Sequence, residues 1–200
     1  MPDVTPAPEA TGPDATPDAA RTSSASTTRD GASVLRGAVP QVPEANDAAE
    51  EDPPAATVAR ALGLDVLVTR HAAVRSLAEA AAARGIEPRD IVKTMVVRRG
   101  PDDYLFVLVP GDAVIAWPKL RTLLGVSRLS MPDADTAREV TGYGRGTITP
   151  FGARTALPVI GDSSIAGRRV SMGSGMHGVA IGVDADAMLR ALNATVADVV

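Results

Sequence analysis

Ile91-Val92-Lys93-Thr94-Met95-Val96-Val97-Arg98-Arg99-Gly100-Pro101-Asp102-Asp103-Tyr104-Leu105-Phe106-Val107-Leu108-Val109 is the stretch that decides the fold class. Two apolar, β-branched runs at 92–98 and 104–109 flank the turn Gly100-Pro101-Asp102-Asp103, a pattern that reads as a β-hairpin. Lys93 sits near its start and interrupts the apolar run. The chain has two lysines against eighteen arginines, so a compact ammonium at this position is a departure from its own habit. Lysine and arginine are not interchangeable where a point charge must fit a small site. Two readings stand: a solvated lysine on the polar face of a half-buried strand, or a charge aimed at a ligand.

Upstream of the hairpin, residues 55–63 have helical composition and end at Gly63, residues 65–70 read as a strand, and His71 follows at the turn. Residues 72–84 form an Ala-rich helical segment stopped by Gly85, a favourable residue just past a helix end. Downstream, Pro110-Gly111-Asp112 is a turn. A short helix over 118–124 has Pro118 in its first turn and closes at Gly125. Another helix spans 133–140, with Asp133 or Ser130 as cap. Residues 142–152 form a loop rich in glycine, where the backbone takes unusual angles or approaches a ligand closely. Strands are expected at 157–160, 169–172 and 179–183, then a helix over 185–194 capped by Asp184. Hairpins and short connections outnumber regular strand-helix-strand units, which implies an α+β fold with a mixed, largely antiparallel sheet.

Composition divides the chain at about residue 55. Residues 1–55 are Ala, Pro, Thr, Ser and Asp with almost no large apolar side chains, and carry ten acids against three arginines, a net charge of −7. Such a segment buries too little apolar surface to offset chain entropy and reads as a disordered acidic tail. Residues 56–200 carry seventeen bases against fourteen acids, a net +3, in a stretch suited to one domain. That mild excess suits passing contact with a polyanion and lacks the dense basic patch of a dedicated nucleic-acid binder, and no DNA partner is expected. With no cysteine, disulfides, thiolate catalysis and cysteine metal sites are excluded. The sequence shows no secretory leader pattern and no apolar run of about 18 residues, so a cytoplasmic protein that does not enter a membrane is expected.

Familiar catalytic patterns fail on context. Gly173-Ser174-Gly175-Met176-His177-Gly178 matches G-x-G-x-x-G, but the residues that follow read as a strand where a dinucleotide site needs a helix. There is no Walker loop and no Gly-x-Ser-x-Gly elbow. His71 and His177 lack companions at metal-ligand spacing. His177 is the stronger site candidate because it lies in a glycine-rich turn. No cofactor or metal is implied. What remains is a lysine and a glycine loop, enough to stabilise an oxyanion without a protein nucleophile, which suits an already activated ester. Five aromatic residues are too few for a base-stacking platform.

The order of motifs carries a resemblance. His71-Ala-Ala-Val-Arg-Ser, Ile91-Val-Lys93-Thr94-Met-Val-Val, Val109-Pro110-Gly111-Asp112, Thr141-Gly142-Tyr143-Gly-Arg-Gly146-Thr147-Ile-Thr149-Pro150-Phe151-Gly152 and Leu157-Pro158-Val-Ile-Gly-Asp162 together resemble the YbaK/prolyl-tRNA-synthetase-associated editing domain family over residues 56–200. The resemblance implies a barrel-like sheet with surrounding helices. It also implies hydrolysis of the ester on mischarged tRNA(Pro), with aminoacyl-tRNA bound by its 3′ end and prolyl-tRNA synthetase as a second partner. By its motif Lys93 is the essential lysine. Thr94, Gly146, Thr147, Pro150, Phe151, Gly152, Asp162, Ser174, Gly175 and His177 fall at substrate-binding positions. Thr147 and Thr149 replace the second glycine and the serine of members that act on cysteinyl-tRNA, and Thr94 replaces the asparagine of those that act on alanyl-tRNA. The expected amino acid is cysteine, with alanine next. The alternative is a module of the same fold that binds aminoacyl-tRNA or a synthetase without turnover.

Overall fold

The computed structural model describes residues 51–200, so the expected acidic tail, up to residue 50, lies outside the described residues. The hairpin forms as expected. Strands β2 (Val92–Gly100) and β3 (Asp103–Pro110) pair antiparallel, with Lys93 opposite Val109 and Thr94 opposite Leu108. The register shifts between Arg98 and Gly100, and Asp102 turns the chain with φ 52°. β3 is buried on both faces, which is why its sequence is a continuous apolar run with no polar alternation. Phe106 and Leu108 enter one core cluster, while Leu105, Val107 and Val109 enter another. The strand period of two sorts them.

The fold is α+β with mixed, largely antiparallel pairing. β4 (Val159–Asp162) runs parallel to β3, and β7 (Thr195–Ala197) parallel to β4, giving the order β2-β3-β4-β7. A second sheet, β1-β6-β5, is wholly antiparallel and consists of β1 (Leu67–Arg70), β5 (Arg169–Gly173) and β6 (Val179–Asp184). The barrel-like sheet is thus built as two sheets that meet at one isolated parallel bridge, Ile91 to Ser171.

Among the described residues five α-helices surround the sheets: α1 (Pro54–Ala61), α2 (Leu77–Arg84), α3 (Trp117–Leu124), α4 (Ala134–Thr141) and α5 (Ala185–Ala191). α2 starts five residues later than composition suggests, because the Ser76 hydroxyl accepts from the Glu79 amide and fixes the first turn there. It ends at Gly85 in the left-handed region, as expected. Asp133 and Asp184 cap α4 and α5 through the Thr136 and Ala187 amides, each at 2.8 Å. α5 stops at Ala191, short of the expected 194, and Asn193 takes φ 47°. The residues after it form β7, a three-residue strand too short for any periodicity to show. Among the described residues no helix is long and apolar enough to cross a membrane.

Asp162, at the end of β4, is 1% exposed and ties the C-terminal segment to the sheet. Its carboxylate accepts from the Ser164 amide at 2.9 Å, from the Ser164 hydroxyl and from the Val199 amide at 2.9 Å. Burial alone would raise its pKa, but these donors outweigh burial and hold it below the ordinary 3.8. A depressed carboxylate contributes stability that is present above the unfolded pKa and is lost as pH falls through the folded value. Asp162→Asn places an amide NH2 where N–H donors already converge. It is expected to cost about 1–3 kcal/mol and to flatten the acid limb of a plot of Tm against pH below the ordinary carboxylate pKa of 3.8. An unchanged acid limb in thermal melts would refute this role.

Candidate functional site

β2 is an edge strand, and its outer edge is held at only two points. Ile91 bridges to Ser171 at its start, and Arg98 exchanges backbone hydrogen bonds with Ser130 (2.8 and 3.1 Å) near its end. Between these points the strand has no partner on that side among the described residues. A cavity of ≈ 630 Å³ opens along it. Ile91 and the first five residues of β2, Val92 to Val96, line one side, α2 contributes Arg84, and β5 contributes Gly173. Met131 and Ala137 line it from the segment pinned by Ser130 and from α4, and Gly146 and Ile148 from the glycine loop.

Lys93 and Thr94 alternate on β2, so their side chains leave opposite faces, yet both border the cavity. The Lys93 ammonium is half-buried and donates to the carbonyl of Ala113 at 2.6 Å. Burial lowers its pKa below 10.5, and the nearby Asp112 carboxylate partly restores it. Ala113 is placed by the Pro110-Gly111-Asp112 turn. A Cβ on Gly111 would stand 2.4 Å from the Pro88 carbonyl oxygen, so only glycine lets this turn pack there. The Thr94 hydroxyl is buried with no hydrogen-bond partner, a costly state for a polar atom unless it serves a ligand.

The glycine loop is rigidly docked. The Tyr143 hydroxyl donates across it to the Phe151 carbonyl at 2.9 Å, and the Gly175 amide donates to the Thr147 carbonyl at 3.0 Å. Gly146 has φ 89° and borders the cavity. Thr147 and Thr149, the two departures from the cysteine-type pattern, are 3% and 0% exposed. The Thr147 hydroxyl donates to the Gly144 carbonyl and the Thr149 hydroxyl accepts from the Phe151 amide, so both are engaged within the loop. Of the expected site residues, Lys93, Thr94 and Gly146 therefore share one cavity. Phe151 is in the main core cluster, and Pro150 and Gly152 stand beside it in the loop outside the cavity lining. Asp162 holds the C-terminal segment as described above. The Ser174 hydroxyl donates to the Val179 carbonyl at 2.9 Å, Gly175 packs on the Tyr143 ring, and His177 is exposed beside Gly144.

Sequence reasoning missed Arg84, Met131, Ile148 and Gly173. Arg84 had one local signal, a basic residue in a last helical turn, which is ordinary. Arg84, Lys93 and Arg145 line the cavity against one acid, Asp133. The Asp133 carboxylate is held below its ordinary pKa chiefly by the Thr136 amide, so it serves the α4 cap. The cavity is cationic, with an apolar wall of Val96, Ala137 and Ile148. Among the described residues no three His, Asp or Glu cluster as a metal ion would require.

The proline–tRNA ligase of Heliobacterium modesticaldum is 36% identical over 80 residues, which are 40% of this chain and 14% of the ligase. That of Fervidobacterium nodosum is 30% identical over 117 residues, 56% of this chain and 20% of the ligase. The chain thus spans a fifth or less of these two relatives. The crystal structure of a candidate trans-editing enzyme for prolyl tRNA synthetase superposes with a TM-score of 0.66 at 28% identity, covering 75% of this chain and 98% of that one. The profile of the aminoacyl-tRNA editing domain matches residues 71–191, from His71 through the cavity-lining strand and the glycine loop to the end of α5, and the chain belongs to that family.

Proposed function

We propose that residues 56–200 form a deacylase of mischarged aminoacyl-tRNA that hydrolyses the ester on the 3′-terminal ribose of tRNA(Pro), with cysteine the first expected amino acid and alanine the second. One observation carries the reading. In a chain of the editing domain family, Lys93 and the Gly146 loop border the same cavity, beside a buried Thr94 hydroxyl with no partner. In the reaction, water adds to the ester carbonyl carbon, the acyl C–O bond breaks, and the ribose hydroxyl leaves with a proton. An aminoacyl ester is activated, so the protein mainly has to orient it and stabilise the developing negative charge. Lys93 supplies a compact positive charge for that purpose, and Thr94, whose side chain leaves the other face of β2, a hydroxyl that borders the same cavity.

The apolar wall of Val96, Ala137 and Ile148 suits a small side chain, and the Thr147 and Thr149 hydroxyls are engaged within the loop. Pocket size discriminates by only about 1–3 kcal/mol per methylene, so overlap between cysteine and alanine is expected. The similarity to two proline–tRNA ligases supports prolyl-tRNA synthetase as a partner in delivering the tRNA.

A deacylation panel tests the reading. Incubated with tRNA(Pro) charged with cysteine, alanine or proline, the protein is expected to release cysteine fastest, alanine more slowly and proline least. Stoichiometric tRNA binding with no release across the panel would replace the enzyme by a non-catalytic aminoacyl-tRNA binding module.

A further inference from the structure

Arg84 is a half-buried charge in the cavity wall that no acidic side chain among the described residues pairs with. Its Nη1 donates to the Ser171 hydroxyl at 3.3 Å, its Nη2 faces His71 Nε2 at 3.3 Å, and its Nε is buried with no partner. The ion pairs among the described residues do not include it. Arg168 makes the contrast. It too has a buried, unpartnered Nε, but Asp90 pairs with it at 2.9 Å. Arg84 is held only by neutral groups, and burial pushes its pKa down. A desolvated guanidinium without a counter-charge is expensive unless it binds an anion.

The neighbours of Arg84 aim it. His71 Nδ1 lies 2.8 Å from the Ala72 carbonyl, which can only accept, so Nδ1 carries the proton and Nε2 is left to accept from Arg84. Ser171 is the residue that bridges to Ile91, so the guanidinium sits where the two sheets join, two residues along β2 from Lys93. Arg84 and Lys93 line one cavity of ≈ 630 Å³, so a single bound nucleotide can offer its 5′ phosphate to one and its acylated ribose to the other. A planar guanidinium keeps N–H donors beyond its two contacts with Ser171 and His71, and its fork geometry matches phosphate oxygens, whereas the lysine is a point charge.

We propose that Arg84 is the phosphate-binding residue of this cavity and that it takes the 5′ phosphate of the terminal, aminoacylated nucleotide, with His71 as the positioning residue that orients it. The proposal rests on the deacylase reading for the identity of the ligand. It assigns the phosphate to Arg84 and leaves the Lys93 ammonium to the ester.

The test compares ligands with and without the phosphate, on the full chain. Binding of adenosine 5′-monophosphate and of adenosine is measured for the wild type, Arg84→Gln and Arg84→Lys, alongside hydrolysis of 3′-aminoacyl-AMP and 3′-aminoacyl-adenosine. The wild type is expected to bind the monophosphate more tightly than the nucleoside. Arg84→Gln is expected to weaken monophosphate binding and raise KM for the phosphate-bearing ester by about 10- to 100-fold. The loss should fall on KM more than on kcat and be much smaller for adenosine and aminoacyl-adenosine, which carry no phosphate, and Arg84→Lys should recover part of it. An equal loss on both esters, or a wild type that binds the two nucleosides alike, overturns the proposal. If no ester is hydrolysed while monophosphate binding still depends on Arg84, the deacylase reading fails and the phosphate site stands.

Discussion

Lys93→Ala is expected to lower deacylation of the preferred aminoacyl-tRNA by about 10²- to 10³-fold, the range for removing one preorganised group that stabilises developing charge. The loss should fall on kcat, because the charge matters most when the carbonyl oxygen becomes anionic. The fold should survive. Lys93 lies on the unpaired edge of β2, it makes one side-chain hydrogen bond, to Ala113, and truncation removes a partly desolvated charge. Lys93→Arg keeps the charge but replaces a point by a broad planar fork, and is expected to recover only a minor part of the rate. The pH profile supplies a second check. Since burial lowers the Lys93 pKa below 10.5 and Asp112 only partly opposes it, the ammonium is lost as pH rises through that lowered value. The enzymatic rate, after subtraction of alkaline ester hydrolysis, should fall there in the wild type and not in the residual activity of Lys93→Ala. Equal kcat for wild type and Lys93→Ala would remove Lys93 from the chemistry.

The fold was readable wherever one short stretch of chain states its own geometry. The 91–109 hairpin announces itself by two apolar runs around a turn, α4 and α5 by Asp133 and Asp184, and α2 by Gly85. β7 was not readable, because three residues held by parallel pairing to β4 have no pattern of their own. The site divides in the same way. Lys93 and Gly146 stand out as an odd charge in an apolar strand and a glycine in a loop that needs φ 89°. Arg84 reads as one more basic residue in an Ala-rich helix, and it is the packing of α2 on Ile91, next to the bridge from Ile91 to Ser171, that brings it beside β2. Met131 reaches the cavity because Ser130 pairs with Arg98, a contact across more than thirty residues that no local pattern announces. The family motifs also carried more than one kind of residue. Lys93, Thr94 and Gly146 reach the cavity, whereas Phe151 and Asp162 hold the frame around it.

Gly173→Ala is expected to displace the glycine loop and to reduce deacylation more than its single methyl suggests. A Cβ at 173 would stand 2.7 Å from the backbone oxygens of both Ile148 and Thr147, so it is backbone that has to move. Those residues belong to the segment Gly146 to Ile148 that borders the cavity, and the Gly175 amide that anchors Thr147 lies two residues away. Overpacking of this kind costs about 1–3 kcal/mol, which should appear as a lower Tm. A displacement near 1 Å at a wall that orients the ester is worth about 10²-fold in rate. Gly146→Ala is the matched control, because its difficulty is the reverse. Gly146 has open space around its missing Cβ but a φ of 89° that L residues rarely adopt, whereas Gly173 has an ordinary φ and no space. Backbone strain at Gly146 costs of order 1–3 kcal/mol without pushing on β5. The two variants should therefore lose similar stability but differ in rate, with Gly173→Ala the slower enzyme on every aminoacyl-tRNA tested. Equal rates at matched stability would show that the contact between β5 and the loop does not set the shape of the cavity.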